Sequence, residues 1–170
     1  HFGHVLNAIY VWEIARQSGP DSRVLLRIED HDRIRSRPEF ERALLEDLDW
    51  LGFAAVGPPV RQSERGAAYQ GALDELRRRG LVYACRCSRS ELGSDPYPGT
   101  CAGSGLPESP GLGLRVRLEP SIERFVDRRL GPQVQQPSEQ CGDLLVRDRL
   151  GNWTYQFAVV VDDWLQGVTH

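Results

Sequence analysis

The chain opens on HFGH, residues 1–4, two imidazoles bracketing a glycine. Imidazoles beside the free backbone N–H groups of a helix N-terminus can stabilise charge on a nucleotide phosphate, and glycine lets a base lie close to the backbone. The bland alternative is a frayed terminus, or one helical turn that happens to carry two histidines. A second stretch, RIEDHD at residues 27–32, crowds carboxylates at the end of an apolar run. In open α/β sheets ligands bind outside the carboxyl ends of strands, where Glu29 would project and suit a substrate ammonium group. Divalent-metal binding by Glu29, Asp30 and Asp32 competes with that use, and so does a solvated strand end with surface ion pairs.

The third candidate is a set of thiols. Cys85, Cys87 and Cys101 fall together around a turn-rich loop, and Cys141 stands apart. Nothing secretory favours a disulfide framework, and paired buried thiols are the plain alternative. Clustered thiols on such a loop point to zinc, although C-x-C is tighter than finger spacing. The fourth ligand is left open between Cys141, a histidine and a less usual residue of the loop. A closed structural zinc site would supply on the order of 10 kcal/mol to order a loop with little core of its own.

These residues need elements to position them. Val5, Ile9, Trp12 and Ala15 recur at helical spacing before Gly19-Pro20, so HFGH sits at a helix N-terminus. VLLRI, residues 24–28, reads as a buried strand ending at Glu29. Ser36 and Pro38 mark the start of a helix with Phe40, Leu44, Leu45, Leu48 and Leu51 on one face, and a third helix spans about 67–79. Helix, strand, helix, helix suggests an α/β layer with a parallel sheet over residues 1–80. Residues 81–145 read as an inserted, mainly β subdomain with strands at 81–87 and 114–118. From 146 a hairpin turning near Gly151-Asn152 leads into a buried helix, FAVVVDDWL, that returns to the main layer. Trp153, Tyr155 and Phe157 alternate as in a half-buried strand. One of Asp162 and Asp163 is expected to cap or pair.

Composition narrows the function. Hydrophobic residues make up 40% and charged residues 26% of the chain, and no apolar run approaches the ~20 residues of a membrane helix. No membrane association is expected, and a cytoplasmic place is. Net charge is −3, so any nucleic acid must be met by local patches, for which Arg77 to Arg79, Arg115 with Arg117, and Arg128-Arg129 are candidates beside the reading as solvated faces. All 21 basic residues are arginine, so the chain holds no catalytic lysine. With no methionine at residue 1 or elsewhere, the sequence is expected to be part of a longer protein.

HFGHVLNAI, LLRIEDHDRIRSRP, GLVYACRCSRSEL, YPGTC and WTYQFAVVVDDWLQGVTH, in that order, resemble the class I glutamyl-tRNA synthetase family, and most closely its short branch without an anticodon-binding domain. The likeness covers essentially the whole chain. It implies a Rossmann-type catalytic core with an inserted zinc-binding subdomain that meets the tRNA end. It also implies ATP, used with Mg2+, to activate glutamate as glutamyl-adenylate. In the short branch the glutamyl group passes to the queuosine base of tRNA(Asp). His1, Gly3 and His4 would contact ATP, the two histidines acting catalytically on the transition-state phosphates. Glu29 and Tyr155 would hold glutamate, and Cys85, Cys87, Tyr97 and Cys101 would hold Zn2+, leaving Cys141 outside the set. A strand carrying an arginine before HFGH and a lysine loop after GVTH are implied too, so these 170 residues alone are expected to be inactive.

Two positions depart from or refine the pattern. His4 stands where the short branch usually has a small residue, and Val159 stands where the full synthetases tend to carry asparagine. A monomer is expected. The competing readings are a discriminating glutamyl-tRNA synthetase acting on tRNA(Glu), a nucleotidyltransferase with a similar histidine-glycine-histidine signature, and a non-catalytic, zinc-stapled RNA- or protein-binding module.

Overall fold

The computed structural model describes residues 2–30, 36–92 and 96–170, so His1, residues 31–35 with Asp32 among them, and residues 93–95 lie outside the described residues. The chain divides into two compact units, His1–Gly66 and Ala67–His170. The domain boundary read from composition at residue 80 therefore falls inside the second unit, and the helix before it packs with the residues that follow.

In the first unit α1 (Phe2–Gln17) is followed by β1 (Arg27–Ile28), α2 (Pro38–Trp50), β2 (Val60–Arg61) and a 3-10 turn, Gln62–Glu64. Proline at the start of α2 costs the helix no hydrogen bond, and Glu39 and Glu41 in its first turn complement the helix dipole. The apolar run at 24–28 makes a two-residue parallel ladder, Arg27 with Val60 and Ile28 with Arg61. Pro58 and Pro59 lack the N–H groups that would lengthen it on the partner side. Trp12 fastens α1 down, stacking on Phe53 at 4.9 Å between centroids and donating its indole N–H to the Ala54 carbonyl at 3.0 Å. Leu45, Leu48 and Leu51 are half-buried, whereas Phe40 and Leu44 of the expected apolar face are exposed. Ile28 is the one buried hydrophobic residue of this unit among those described.

The core sits in the second unit. It contains α3 (Gly66–Arg78), β3 (Val82–Cys85), α4 (Arg89–Leu92), β4 (Gly113–Val116), β5 (Glu123–Asp127), β6 (Gly131–Gln135), α5 (Pro137–Cys141), β7 (Leu144–Arg147) and α6 (Tyr155–Gln166). Strands β3, β4 and β7 form an antiparallel sheet in that order. Side chains alternate across a strand, so each strand serves two faces. On one face Ala84, Leu114, Val116 and Val146 pack with Tyr69 and Leu73 of α3 and Phe157, Ala158 and Val161 of α6. The expected parallel sheet is thus reduced, among the described residues, to the β1–β2 pair, and the other two sheets are antiparallel.

The turn after β7 is built by Asp148, whose carboxylate accepts the Leu150 and Asn152 N–H groups at 2.9 and 2.8 Å. The returning strand shrinks to a single bridge, Arg147 with Trp153, because the helix begins at Tyr155. Trp153, Tyr155 and Phe157 therefore do not alternate on a strand. Phe157 is buried from α6 and Tyr155, at its first position, is 53% exposed. Outside the sheet, β5 and β6 pair only with each other, as a hairpin that composition did not reveal.

Asp162 is the expected paired acid. It is fully buried and accepts a hydrogen bond from Tyr69 Oη at 2.9 Å, which ties α6 to α3. A buried acceptor stripped of a donor costs about 1–3 kcal/mol. Tyr69→Phe is expected to lower the unfolding free energy from urea titration by that amount, and an unchanged value would show that the bond contributes nothing.

Candidate functional site

The second face of the β3–β4–β7 sheet carries the thiols. Tyr83 and Cys85 alternate with the core-facing Val82 and Ala84, and they pack in a separate cluster with Tyr97, Cys101 and Cys87. The chain leaves β3 at Cys85, places Cys87 two residues on, and returns with Tyr97 and Cys101, both buried. The three Sγ atoms lie within 4.8 Å of one another, and those of Cys87 and Cys101 are 3.6 Å apart. These cysteines are free, and so is the exposed Cys141, which stands outside the trio.

Tyr97 completes the group. Its Oη lies 3.4 Å from Cys85 Sγ and accepts the Cys101 backbone N–H at 2.8 Å. Its backbone forms a parallel bridge to Gly142, with the Tyr97 N–H donating to the Cys141 carbonyl at 3.3 Å. Gly142 has φ +63, and a Cβ on it would fall 2.1 Å from the Tyr97 carbonyl oxygen, so only glycine permits this approach. Cys141 thus serves through its backbone.

Arg115 closes the site from the sheet. Paired with Tyr83 across β3 and β4, it is 7% exposed. Its Nε donates to Cys85 Sγ at 3.4 Å and its Nη1 to the Asp143 carbonyl at 2.6 Å, while its guanidinium lies 3.6 Å from the Tyr97 ring centroid. Asp143 in turn accepts from Tyr83 Oη at 2.6 Å and from the Leu118 N–H at 3.0 Å.

The donor set suits a thiophilic cation. Tetrahedral zinc with sulfur at about 2.3 Å sets sulfurs about 3.8 Å apart, close to the 3.6 Å between Cys87 and Cys101 Sγ. Without a cation the protons are held unequally. Burial, the Cys101 contact and Cys85 push the Cys87 thiol up to about 11. Burial also works to raise Cys101, but the Arg86 backbone N–H and the Tyr97, Cys87 and Cys85 side chains bring it down to about 7. The Tyr97 phenol is raised, by burial first and by Cys85 next. A cation at the centre would overcome both the burial and the mutual repulsion that oppose ionising the set.

In the first unit, Gly3 and His4 occupy the first turn of α1, both exposed, and His1 lies outside the described residues. Glu29 is exposed immediately past the carboxyl end of β1, where the sequence expected it. Asp30 is not available in the same way. Its two carboxylate oxygens accept the Ser63 N–H at 2.8 Å and the Ser63 hydroxyl at 2.7 Å, and Arg61 stands 3.8 Å off. Burial opposes its charge, but Ser63 and Arg61 hold the Asp30 carboxyl below its usual range. Arg61 also grips Glu41 of α2 through both oxygens. The joint use of Glu29, Asp30 and Asp32 as metal ligands falls partly outside the described residues. Among the described residues, the cysteine trio is the group of three His, Cys, Asp or Glu side chains close enough to share an ion. Tyr155 belongs to the second unit.

The arginine clusters turn out to be mostly engaged. Arg77 pairs with Asp74 and Glu108, both at 2.5 Å, and Arg78 and Arg79 pair with Glu75. Arg117 donates to the Ala102 carbonyl at 3.1 Å, and Arg128 meets His170 at 2.9 Å. Sequence reading missed Arg115, Tyr83, Gly142 and Asp143 as parts of the cysteine site. Only the strand register puts Arg115 beside Cys85.

Residues 1–96 match the model of the class I tRNA synthetases (E and Q), catalytic domain. The glutamyl-Q tRNA(Asp) synthetase of Bordetella bronchiseptica is 43% identical over 99% of this chain, and that of Rhodobacter capsulatus 38% identical over 100%. This chain spans 56% of the first relative's length and 70% of the second's. The solved structure of a glutamate tRNA ligase from Elizabethkingia meningosepticum, in complex with its amino acid, superposes with a TM-score of 0.80 at 25% identity, over 100% of this chain and 40% of that one. The mixed α/β arrangement is that of the class I synthetase catalytic fold, and the chain belongs to the glutamate and glutamine (E and Q) class I tRNA synthetase family.

Proposed function

We propose that the protein containing this chain activates glutamate with ATP and transfers the glutamyl group to the queuosine base of tRNA(Asp). The observation that carries this reading is 38–43% identity, along nearly all of the chain, to relatives named for that substrate. A glutamate carboxylate oxygen attacks the α-phosphorus of ATP, pyrophosphate leaves, and a hydroxyl of the modified base then displaces AMP from the glutamyl carbonyl. His1 and His4 would stabilise charge on the phosphates, with Gly3 beneath the base and Mg2+ accompanying ATP. Glu29 would hold the substrate ammonium, and Tyr155 is the tyrosine that the resemblance assigns to glutamate. Work on tRNA implies a cytoplasmic place, and no helix among the described residues is long and apolar enough to cross a membrane.

Cys85, Cys87, Cys101 and Tyr97 would hold zinc as a closed structural site within a Rossmann-type core's inserted subdomain. The three-sulfur cluster with a phenol oxygen 3.4 Å from Cys85 supports it. Bound there, the ion would supply folding energy to a loop whose own buried cluster holds three residues.

Two measurements test these readings in the full-length protein. Metal analysis is expected to find one zinc per chain. Tyr97→Phe should weaken zinc, in chelator competition, by more than the roughly 10–100-fold typical of outer-shell changes; undiminished affinity would remove Tyr97 from the ligand set. For catalysis, radiolabelled glutamate is expected to transfer to tRNA(Asp) that carries queuosine. Glu29→Gln should raise the KM for glutamate, and His4→Ala should slow ATP–pyrophosphate exchange by about 10²-fold. Transfer to tRNA(Glu) instead would favour the discriminating synthetase.

A further inference from the structure

Arg115 belongs to the strand framework, yet its side chain is aimed at the cysteine site. Its described contacts are a sulfur, an aromatic face and a backbone carbonyl, and none of these is a carboxylate. It is 7% exposed. A guanidinium stays protonated wherever it is placed, and a buried charge is costly unless an opposite charge or hydrogen bonds meet it. The site supplies that opposite charge once loaded. Three thiolates and a phenolate around a divalent ion leave roughly two units of negative charge in a buried cluster. A cation and an anionic site, each expensive to bury alone, are thus fixed against each other.

We propose that Arg115 is the positioning residue of this site, which offsets the charge of the loaded metal centre and holds two of its ligands in place. The proposal rests on the zinc reading. The Nε–H donates to Cys85 Sγ and so aims that sulfur, while the flat guanidinium at 3.6 Å from the ring centroid sets the plane of Tyr97. The bond to the Asp143 carbonyl holds the fork in place. Arg115 sits on β4, paired through Tyr83 to β3, so its place is determined by the sheet and not by the loop that closes over the metal. The site is thereby half organised before an ion arrives.

Chelator competition on the full-length protein, comparing wild type with Arg115→Lys and Arg115→Gln, tests this. Arg115→Gln is expected to bind zinc roughly 10–100-fold more weakly, with Arg115→Lys between it and wild type because charge returns without the fork. The sulfur-to-metal absorption of the cobalt-substituted protein should shift in Arg115→Gln, which a purely structural role would not cause. Wild-type zinc affinity in Arg115→Gln overturns the proposal. If that variant does not fold, Arg115→Lys decides: a loss of roughly 3–10-fold sustains the role, while wild-type affinity, or failure to fold with zinc present, overturns it. Wild-type protein that holds no zinc overturns the zinc reading itself, a result distinct from zinc-loaded wild type and an unaffected Arg115→Gln.

Discussion

A three-stranded sheet has two faces to cover, and in the second unit the two are covered by different chemistry. Helices α3 and α6 lay an apolar layer on one face, with Leu73, Val146 and Ala158 fully buried in it. The opposite face receives a loop rich in glycine, proline and serine, whose apolar contribution to the cysteine cluster is Leu92 and Leu106. What it brings is thiols and a phenol packed together, and on the zinc reading proposed above a metal-ligand bond would let such a loop close against a sheet. Residue alternation along β3 makes this possible, since Ala84 and Cys85 are neighbours in sequence and serve opposite layers. The stability of the helix layer and the order of the loop are therefore carried by one strand.

The first unit solves a different problem with less core. Ile28 alone is buried there among the described hydrophobic residues, and the parallel ladder is two residues long. Polar contacts take over at the carboxyl end of the pair. Asp30, one residue beyond Glu29, is pinned by Ser63 from the 3-10 turn that follows β2, and Arg61 links β2 to Glu41 on α2. On the reading proposed for Glu29, a carboxylate that would meet a substrate has to be exposed. Asp30 takes the hydrogen bonds, and Glu29 stays exposed past the carboxyl end of the strand, where parallel sheets accept ligands.

Sequence periodicity made α6 legible because Phe157, Ala158 and Val161 form a buried inner stripe, whereas on α1 Val5, Trp12 and Ala15 are only half-buried and Ile9, expected beside them, is exposed. The thiol trio was legible because cysteine is rare and its clustering is chemical. Other features depend on register and stayed hidden. The β5–β6 hairpin carries Phe125, Val126 and Val134 exposed, so no apolar-in, polar-out pattern marks it. Trp153, Tyr155 and Phe157 mimic a strand because a bridge residue happens to precede a helix by two positions. Gly142 reads as one more turn glycine until the Tyr97 backbone is seen against it.

Arg115 and Arg117 make the same point through charge. Two arginines spaced by a valine look like a phosphate-binding stripe, and the chain's exclusive use of arginine encourages that reading. Period-two spacing sends both to the same side of β4, the side facing the cysteine loop. Arg115, opposite Tyr83, is enclosed there, while Arg117 lies beyond the strand and reaches the Ala102 carbonyl just past Cys101. Both guanidiniums thus turn toward the loop. Arginine suits this use better than lysine because a planar fork can bond a sulfur and a carbonyl while lying flat on a ring, which a single ammonium cannot do. Of the two, Arg115 is taken up inside the molecule, while Arg117 stays exposed at the loop.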